Sequence, residues 1–212
     1  MSITKAPVAL YNVERQAGEA AELWNAITDQ QLADWEALWQ PSLLLAIQRL
    51  HGAKVPLRQW PQSRHWDWRR KAASIRGMLA NPAFSLMCAG VTQGMMILET
   101  TRRRCRIEVQ KGKNLVYVEY VENAPWNRKE LLFDPPRYRG VGSILMRAAI
   151  ETSHSEGFKG RIGLHALPQS NPFYARTCGM TDLGADSNYL GMHYFEMTFE
   201  QSEEFIARGA RP

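Results

Sequence analysis

Arg137-Tyr138-Arg139-Gly140-Val141-Gly142 runs straight into Ser143-Ile144-Leu145-Met146-Arg147-Ala148-Ala149-Ile150-Glu151, and the reading of this stretch decides the fold. Ile144, Leu145, Ala148 and Ala149 recur at helical spacing on one face, with Arg147 and Glu151 on the other. The stretch reads as a glycine turn that opens an amphipathic helix. Such a turn lets a bulky anion approach the backbone closely. The first turn of the helix then offers it unpaired N–H groups and the positive end of the dipole. Two arginines just upstream add charge able to meet phosphate oxygens bidentately. The nucleotide P-loop is excluded, because no Lys-Ser/Thr follows the glycines, and the dinucleotide fingerprint G-x-G-x-x-G fails at its third glycine, where Leu145 stands.

On the downstream side, Gly157 closes the helix and residues 161–167 (R-I-G-L-H-A-L) read as a strand. On the upstream side, residues 115–121 (L-V-Y-V-E-Y-V) form the most β-prone segment of the chain. A strand–helix–strand crossover implies parallel pairing. Before it, residues 84–89 and 95–100 are short apolar runs around Gly90-Val91-Thr92-Gln93-Gly94, a hairpin signal, and residues 104–110 alternate as a further strand. These predict an antiparallel meander, so the sheet is expected to be mixed and mostly antiparallel. After residue 167, Asn171 as N-cap with Pro172 at the first helical position starts a short helix, and Gly179 stops it. Residues 191–198 give a last strand and residues 201–208 a charged terminal helix.

The front third reads differently. Residues 8–11 suggest a first strand or an ordered arm. Residues 19–39 repeat Leu23, Ile27, Leu32, Trp35, Leu38 and Trp39 at helical spacing, with a capping box at Thr28 and Gln31 dividing the segment. Pro41 is expected to end that segment, with short helices following over residues 42–50 and 63–79. Six of the seven tryptophans lie here, and at helical spacing they are expected to pack. The run His65-Trp66-Asp67-Trp68-Arg69-Arg70 is a candidate substrate-side surface.

Composition narrows the function. The 212 residues suit one domain with an elaboration, and no apolar run approaches the ~20 residues that span a bilayer. Residues 1–7 contain no apolar signal core. Cys88, Cys105 and Cys178 form no framework, which points to a reducing, cytoplasmic setting, and the five histidines are scattered singly, so no protein-built metal site is expected. The net charge of +5 suits a polyanionic ligand. Arg102-Arg103-Arg104-Cys105-Arg106 lacks the interleaved aromatics of a nucleic-acid surface and reads as a solvated turn.

R-x-x-G-x-G before an apolar helix resembles the acyl-CoA pyrophosphate loop of the GCN5-related N-acetyltransferase (GNAT) superfamily. Phe173-Tyr174-x(4)-Gly179-Met180 is similar to that family's F-Y-x(4)-G-F element, and residues 118–126 (V-E-Y-V-E-N-A-P-W) to its central strand. The resemblance spans residues 83–199. It implies an acyl-CoA-binding core over residues 82–212, with residues 1–81 as a mostly helical N-terminal extension packed on it. It further implies an acetyl-CoA-dependent N-acetyltransferase, acting by direct attack on a small-molecule or peptide amine, with no metal, no membrane partner and the possibility of a homodimer. Pyrophosphate contacts fall on Arg137, Arg139, Gly140, Val141, Gly142 and Ser143, and a pantetheine contact on Asn171. The family's usual asparagine, six residues before the tyrosine, is replaced here by Pro168.

The chemistry sets its own demands. An attacking amine must first lose a proton held at a pKa of ~10.4. The developing oxyanion needs an N–H donor, which the resemblance places near Val121–Asn123. The leaving thiolate needs a proton, and Tyr174 matches the family's general acid. Glu119 and Glu122 are the candidate bases, on opposite faces of a regular strand unless a bulge intervenes; Tyr117 and His165 are alternatives. Glu119, Glu122 and Asp134 together would favour a cationic amine. A non-catalytic CoA-binding or partner-binding module of the same fold is the competing reading.

Overall fold

The computed structural model describes residues 2–131 and 135–209. Its centre is one sheet of nine strands: β1 (Lys5–Asn12), β2 (Ala17–Trp24), β3 (Ala83–Cys88), β4 (Val91–Glu99), β5 (Val116–Asn123), β6 (Tyr138–Arg139), β7 (Ile162–Ala166), β8 (Thr181–Asp186) and β9 (Met192–Met197). The spatial order is β6-β1-β2-β3-β4-β5-β7-β9-β8. Every pairing is antiparallel except β5 with β7, the pair joined by helix α4 (Val141–Ser155). The mixed, mostly antiparallel sheet is thus as expected.

Period-two alternation in β4 builds both layers. Met96 and Leu98 face α4 in a core with Leu10, Leu86, Val118, Ile144 and Leu145. Met95 and Ile97 face the other way, against Trp35, Trp39 and Trp68. That second layer comes from α1 (Asp29–Asp34), the π-turn Trp35–Trp39 and α3 (Trp68–Ser74), while α2 (Gln40–Gly52) packs Ala46 and Leu50 against Leu131. The tryptophans do pack, and Trp39 also donates its Nε1–H to Thr92 O at 3.0 Å. The last helix, α5 (Phe199–Ala207), starts from a Thr198–Gln201 capping box.

Several expectations need correction. The helix read over residues 19–27 is strand β2: Ala-Gly-Glu-Ala-Ala-Glu-Leu-Trp has no β-branched residue, yet pairing with β1 on one side and β3 on the other overrides propensity. The capping box at Thr28 is present, but it opens the first helix rather than dividing two. Pro41 does not end a segment. A π-turn at Trp35–Trp39 precedes it and shifts the bonding ladder, so the missing N–H falls in the first turn of α2. The helix expected over residues 63–79 is only α3, preceded by a 3-10 turn at Gln62–His65.

The hairpin turn is tighter than expected, with Ala89 and Gly90 alone between strands at φ +50° and +74°, the backbone of a type I′ turn. Residues 104–110 form no strand. The N–H groups of Arg106 and Ile107 instead donate to the buried Glu196 carboxylate, at 2.6 and 3.0 Å. Strand β8 was not anticipated at all. Asn171 does not cap a helix: its backbone is already helical, and a π-turn follows at Phe173–Thr177 from Pro172.

Gly94 lies inside β4, beneath the start of α4. A Cβ there would stand 2.7 Å from Val141 Cγ1 and 2.9 Å from Leu145 Cδ1. Gly94→Val is therefore expected to lower stability by about 1–3 kcal/mol through overpacking, read as a lower urea midpoint. An unchanged midpoint would mean that the helix does not sit this close to the sheet.

Candidate functional site

The site originates in a failure of pairing. β5 and β7 are matched only at Val116–Ile162 and Tyr117–Gly163. Beyond these residues the strands part, and the alternate β5 amides that do not bond β4 face the gap. Opposite residue 119 the β4–β5 register slips, so that Ile97 pairs with Tyr120 and Leu98 with Val118. This bulge takes Glu119 out of the ladder and brings it to the same side as Tyr120 and Glu122, correcting the expectation for a regular strand.

The start of α4 forms one wall of the gap. Gly140 takes φ +95°, a left-handed conformation that glycine holds without strain. The first helical bond runs from Ile144 N to Gly140 O, and no side chain caps the helix, so the amides of Val141, Gly142 and Ser143 precede the ladder. A network fixes this corner. Gln93 Oε1 accepts from Trp126 Nε1 and Asn127 Nδ2 at 2.8 and 2.9 Å, and Asn127 Oδ1 accepts from Tyr138 N at 2.9 Å. The two sequence motifs meet at Gly142, where a Cβ would lie 3.0 Å from the Phe173 ring.

A cleft of about 690 Å³ opens here. It gathers Val121, Glu122, Asn123, Arg139, Gly140, Val141, Gly142, Ser143 and Tyr174 from the expected set. Arg137 and Asn171 are not on its lining. Arg137 is exposed, with its guanidinium 5.5 Å from the Tyr138 ring centre. Lys129 and Arg176, which the sequence reading missed, join Arg139 as exposed cations on the cleft. Arg176 was legible in principle, since it lies inside the Phe-Tyr-x(4)-Gly element.

The cleft's polar groups suit a CoA-like molecule. Three cations and a helix start match phosphates. Gln169 Nε2, on the cleft, and Asn171 Oδ1, two residues on, are buried without a hydrogen-bond partner among the described residues. The unmatched Gln169 donor fits an amide carbonyl in a ligand arm.

Glu122 has other duties. Its Oε2 accepts from Trp68 Nε1 at 2.7 Å and its Oε1 from Arg128 Nη1 at 3.0 Å, with both side chains buried. With each oxygen already engaged by a buried donor, this carboxylate suits a structural role better than that of a base. Glu119 is more open, with Asn81 Nδ2 at 3.4 Å and Arg102 Nη2 at 3.8 Å. Asp134 lies outside the described residues.

A second cavity of about 610 Å³ adjoins the cleft on the bulge side. Val121, Leu167, Ser170 and Tyr174 line both spaces. Its other walls include Arg64, His65, Trp66, Arg103, Tyr117, Glu119, Tyr120, His165 and Tyr189, so part of the 65–70 run does reach it. His165 Nε2 lies 3.0 Å from Asp186 Oδ2, which can only accept, so Nε2 carries the proton. Nδ1 then accepts from the Tyr117 hydroxyl at 2.6 Å. Burial lowers the pKa of His165 despite the opposing pull of Asp186, which keeps the ring neutral. Burial raises the Tyr174 phenol well above its ordinary value. Behind Tyr120, Lys71 Nζ sits 3.2 Å from the ring centre, and desolvation brings its pKa down to about 8.

Cys178 is fully buried and burial raises its thiol pKa, as it does for Cys105, pushed to about 11. Among the described residues no helix is long and apolar enough to cross a membrane, and no three His, Cys, Asp or Glu side chains gather as metal ligands would.

No protein-family model and no curated protein matches the chain. Solved structures do. RimJ from Mycobacterium smegmatis, in complex with CoA-disulfide, superposes with a TM-score of 0.53 at 13% identity, over 99% of this chain and 95% of that one. An uncharacterized protein from Bacillus halodurans gives 0.54 at 10% identity, over 97% and 96%. The GNAT domain of PAT from S. lividans gives 0.52 at 14% identity, over 91% and 96%. At such identities the likeness speaks for architecture, and on it this chain has the fold of the GCN5-related N-acetyltransferase superfamily.

Proposed function

We propose that this protein transfers an acetyl group from acetyl-CoA to a primary amine by direct attack, with both substrates bound together. The observation that carries the reading is the meeting of two differently built spaces at one gap in the sheet. One has cations, helix-start amides and, in Gln169 Nε2, a buried donor with no partner among the described residues. The other is ring-lined. Val121 and Tyr174 stand where they join. RimJ and the PAT domain, which share the fold, carry transferase-type names or a CoA-derived ligand, and that supports the same reading.

Acetyl-CoA would supply the activated acyl carbon. Arg139, Lys129 and Arg176, with the amides of Val141, Gly142 and Ser143, hold the phosphates by charge and hydrogen bonding. Gln169 donates to an amide carbonyl of the arm. A β5 amide between Val121 and Asn123 donates to the carbonyl oxygen as it gains charge. The Tyr174 hydroxyl gives its proton to the departing sulfur. Its raised pKa keeps it protonated through neutral pH, as an acid must be. Glu119 takes the amine's proton, directly or through water, whereas Glu122 holds Arg128 and Trp68. The thiols support direct attack, since Cys178 is buried with a raised pKa and is a poor nucleophile.

The test is release of free CoA thiol from acetyl-CoA over a panel of amines, with the acetylated product identified by mass. Thiol release that requires an amine supports transfer. Tight acetyl-CoA binding with no amine-dependent release across the panel would leave a CoA-binding module instead.

A further inference from the structure

Resting on the acyl-transfer reading, we infer that the second cavity selects an amine that also carries a carboxylate, on a flat or apolar body. The reading comes from the cavity's charges. Two guanidinium groups, Arg64 and Arg103, and a single carboxylate, Glu119, line it. Glu119 already has Arg102 at 3.8 Å and Asn81 at 3.4 Å. Glu122, which would have favoured a cationic substrate, is held by Arg128 at 3.0 Å in a buried pair. Among the described residues the cavity's charges therefore run against a cationic amine.

Arg103 is the sharper of the two cations. It is half-buried, its guanidinium lies 4.7 Å from the Tyr117 ring centre and 5.3 Å from that of Tyr189, and it donates to the Tyr189 hydroxyl. These partners are two rings and a hydroxyl, not a carboxylate. The carboxylate whose field it feels, Glu99, turns Oε1 to Thr101 N and Arg102 N, at 2.7 and 2.8 Å. Its neighbour in the same run, Arg106, is by contrast ion-paired with Asp186 at 2.7 Å. Arg64 donates only to the Pro61 carbonyl, at 3.3 Å, among the described residues. A guanidinium carries five N–H donors in a fork that matches a carboxylate edge. Arg103 therefore enters the cavity with N–H donors that no carboxylate among the described residues takes up.

The remaining walls describe the body of the acceptor. Trp66 and Tyr120 meet edge to face at 5.4 Å, and His165 stacks on Tyr189 at 3.6 Å and 9°. Tyr189 does double service: its ring buttresses His165 while its hydroxyl aims Arg103. A lysine-rich peptide or a polyamine would bring further positive charge against two arginines. An amino acid with a ring or long apolar side chain brings what the cavity lacks.

Matched pairs that differ only in the carboxylate test this: phenylalanine with phenethylamine, tyrosine with tyramine, tryptophan with tryptamine. Each is titrated calorimetrically into the wild-type protein with CoA in excess, and into Arg103→Met and Arg103→Lys. At least one carboxylate-bearing member is expected to bind tenfold or more tightly than its partner. Arg103→Met should erase that ratio and Arg103→Lys retain part of it, with the thermal midpoint of each variant reporting that it is folded. No pair favouring the carboxylate, or a ratio that survives in Arg103→Met, overturns the proposal. Acyl transfer is read separately as thiol release. Carboxylate-dependent binding without thiol release sinks the reaction and leaves the recognition standing, while release indifferent to the carboxylate does the reverse.

Discussion

Gly142→Glu is expected to weaken acetyl-CoA binding about a hundredfold or more, roughly 3 kcal/mol in binding free energy. Two effects act together. The new carboxylate stands among amides arranged for an anion, and it repels the phosphates they would hold. The new side chain also meets the Phe173 ring, which already lies 3.0 Å from where a Cβ would be. Gly142→Gln separates the two, because it keeps the bulk and removes the charge. Calorimetry on both variants, with circular dichroism to confirm folding, decides the matter. If Gly142→Glu binds like the wild type, the phosphates do not sit on this helix start.

Tyr174→Phe is expected to lower kcat by about 10²–10⁴, the range of a lost general acid, with acetyl-CoA affinity little changed. The ring is fixed by Phe173 at 5.2 Å and Phe195 at 5.8 Å, so removing the hydroxyl leaves the packing in place. The pH profile carries a second expectation. An exposed phenol loses its proton near pH ~10, and burial moves Tyr174 above that. The wild-type rate should therefore show no falling limb due to Tyr174 below about pH 10, while amine deprotonation makes the rate rise with pH. A variant that keeps full turnover, or a wild-type profile that falls between pH 7 and 9, would remove Tyr174 as the acid.

The part of the molecule legible from sequence is the part where local and tertiary signals agree. Residues 143–157 read as helical by spacing, by their glycine start and by their crossover role, and α4 stands at Val141–Ser155. The residues of β5 were read from β-propensity alone, and their strand is there. Residues 19–24 show the opposite: alanines and glutamates promise helix, while neighbours distant in sequence make a strand. Residues 104–110 alternate like a strand, yet Glu196, about ninety positions away, claims their amides. Sequence showed the glycine loop and Tyr174 because those residues sit in contiguous motifs. It hid Arg103, which looked like one more solvated arginine in a run, and Tyr189, which lies in a turn with no pattern of its own. Their significance depends on which side chains stand opposite, and spacing along one chain carries no such information. The bulge at Glu119 belongs to the same class, since a register slip is a property of two strands.

The two-residue match between β5 and β7 also bears on how the molecule carries load. Six strands lie on one side of that junction and three on the other, with four paired residues as the backbone seam between them. Side chains tie the two plates on both faces: α4 packs on Val116 and Val118 of one plate and Ile162 and Leu164 of the other, while on the opposite face Tyr117 packs on Tyr194 and its hydroxyl bonds His165 at 2.6 Å. With so little backbone pairing, this seam depends on the side chains that lie across it. A ligand held in the gap by the folded protein alone is therefore expected to raise the thermal midpoint as its concentration rises.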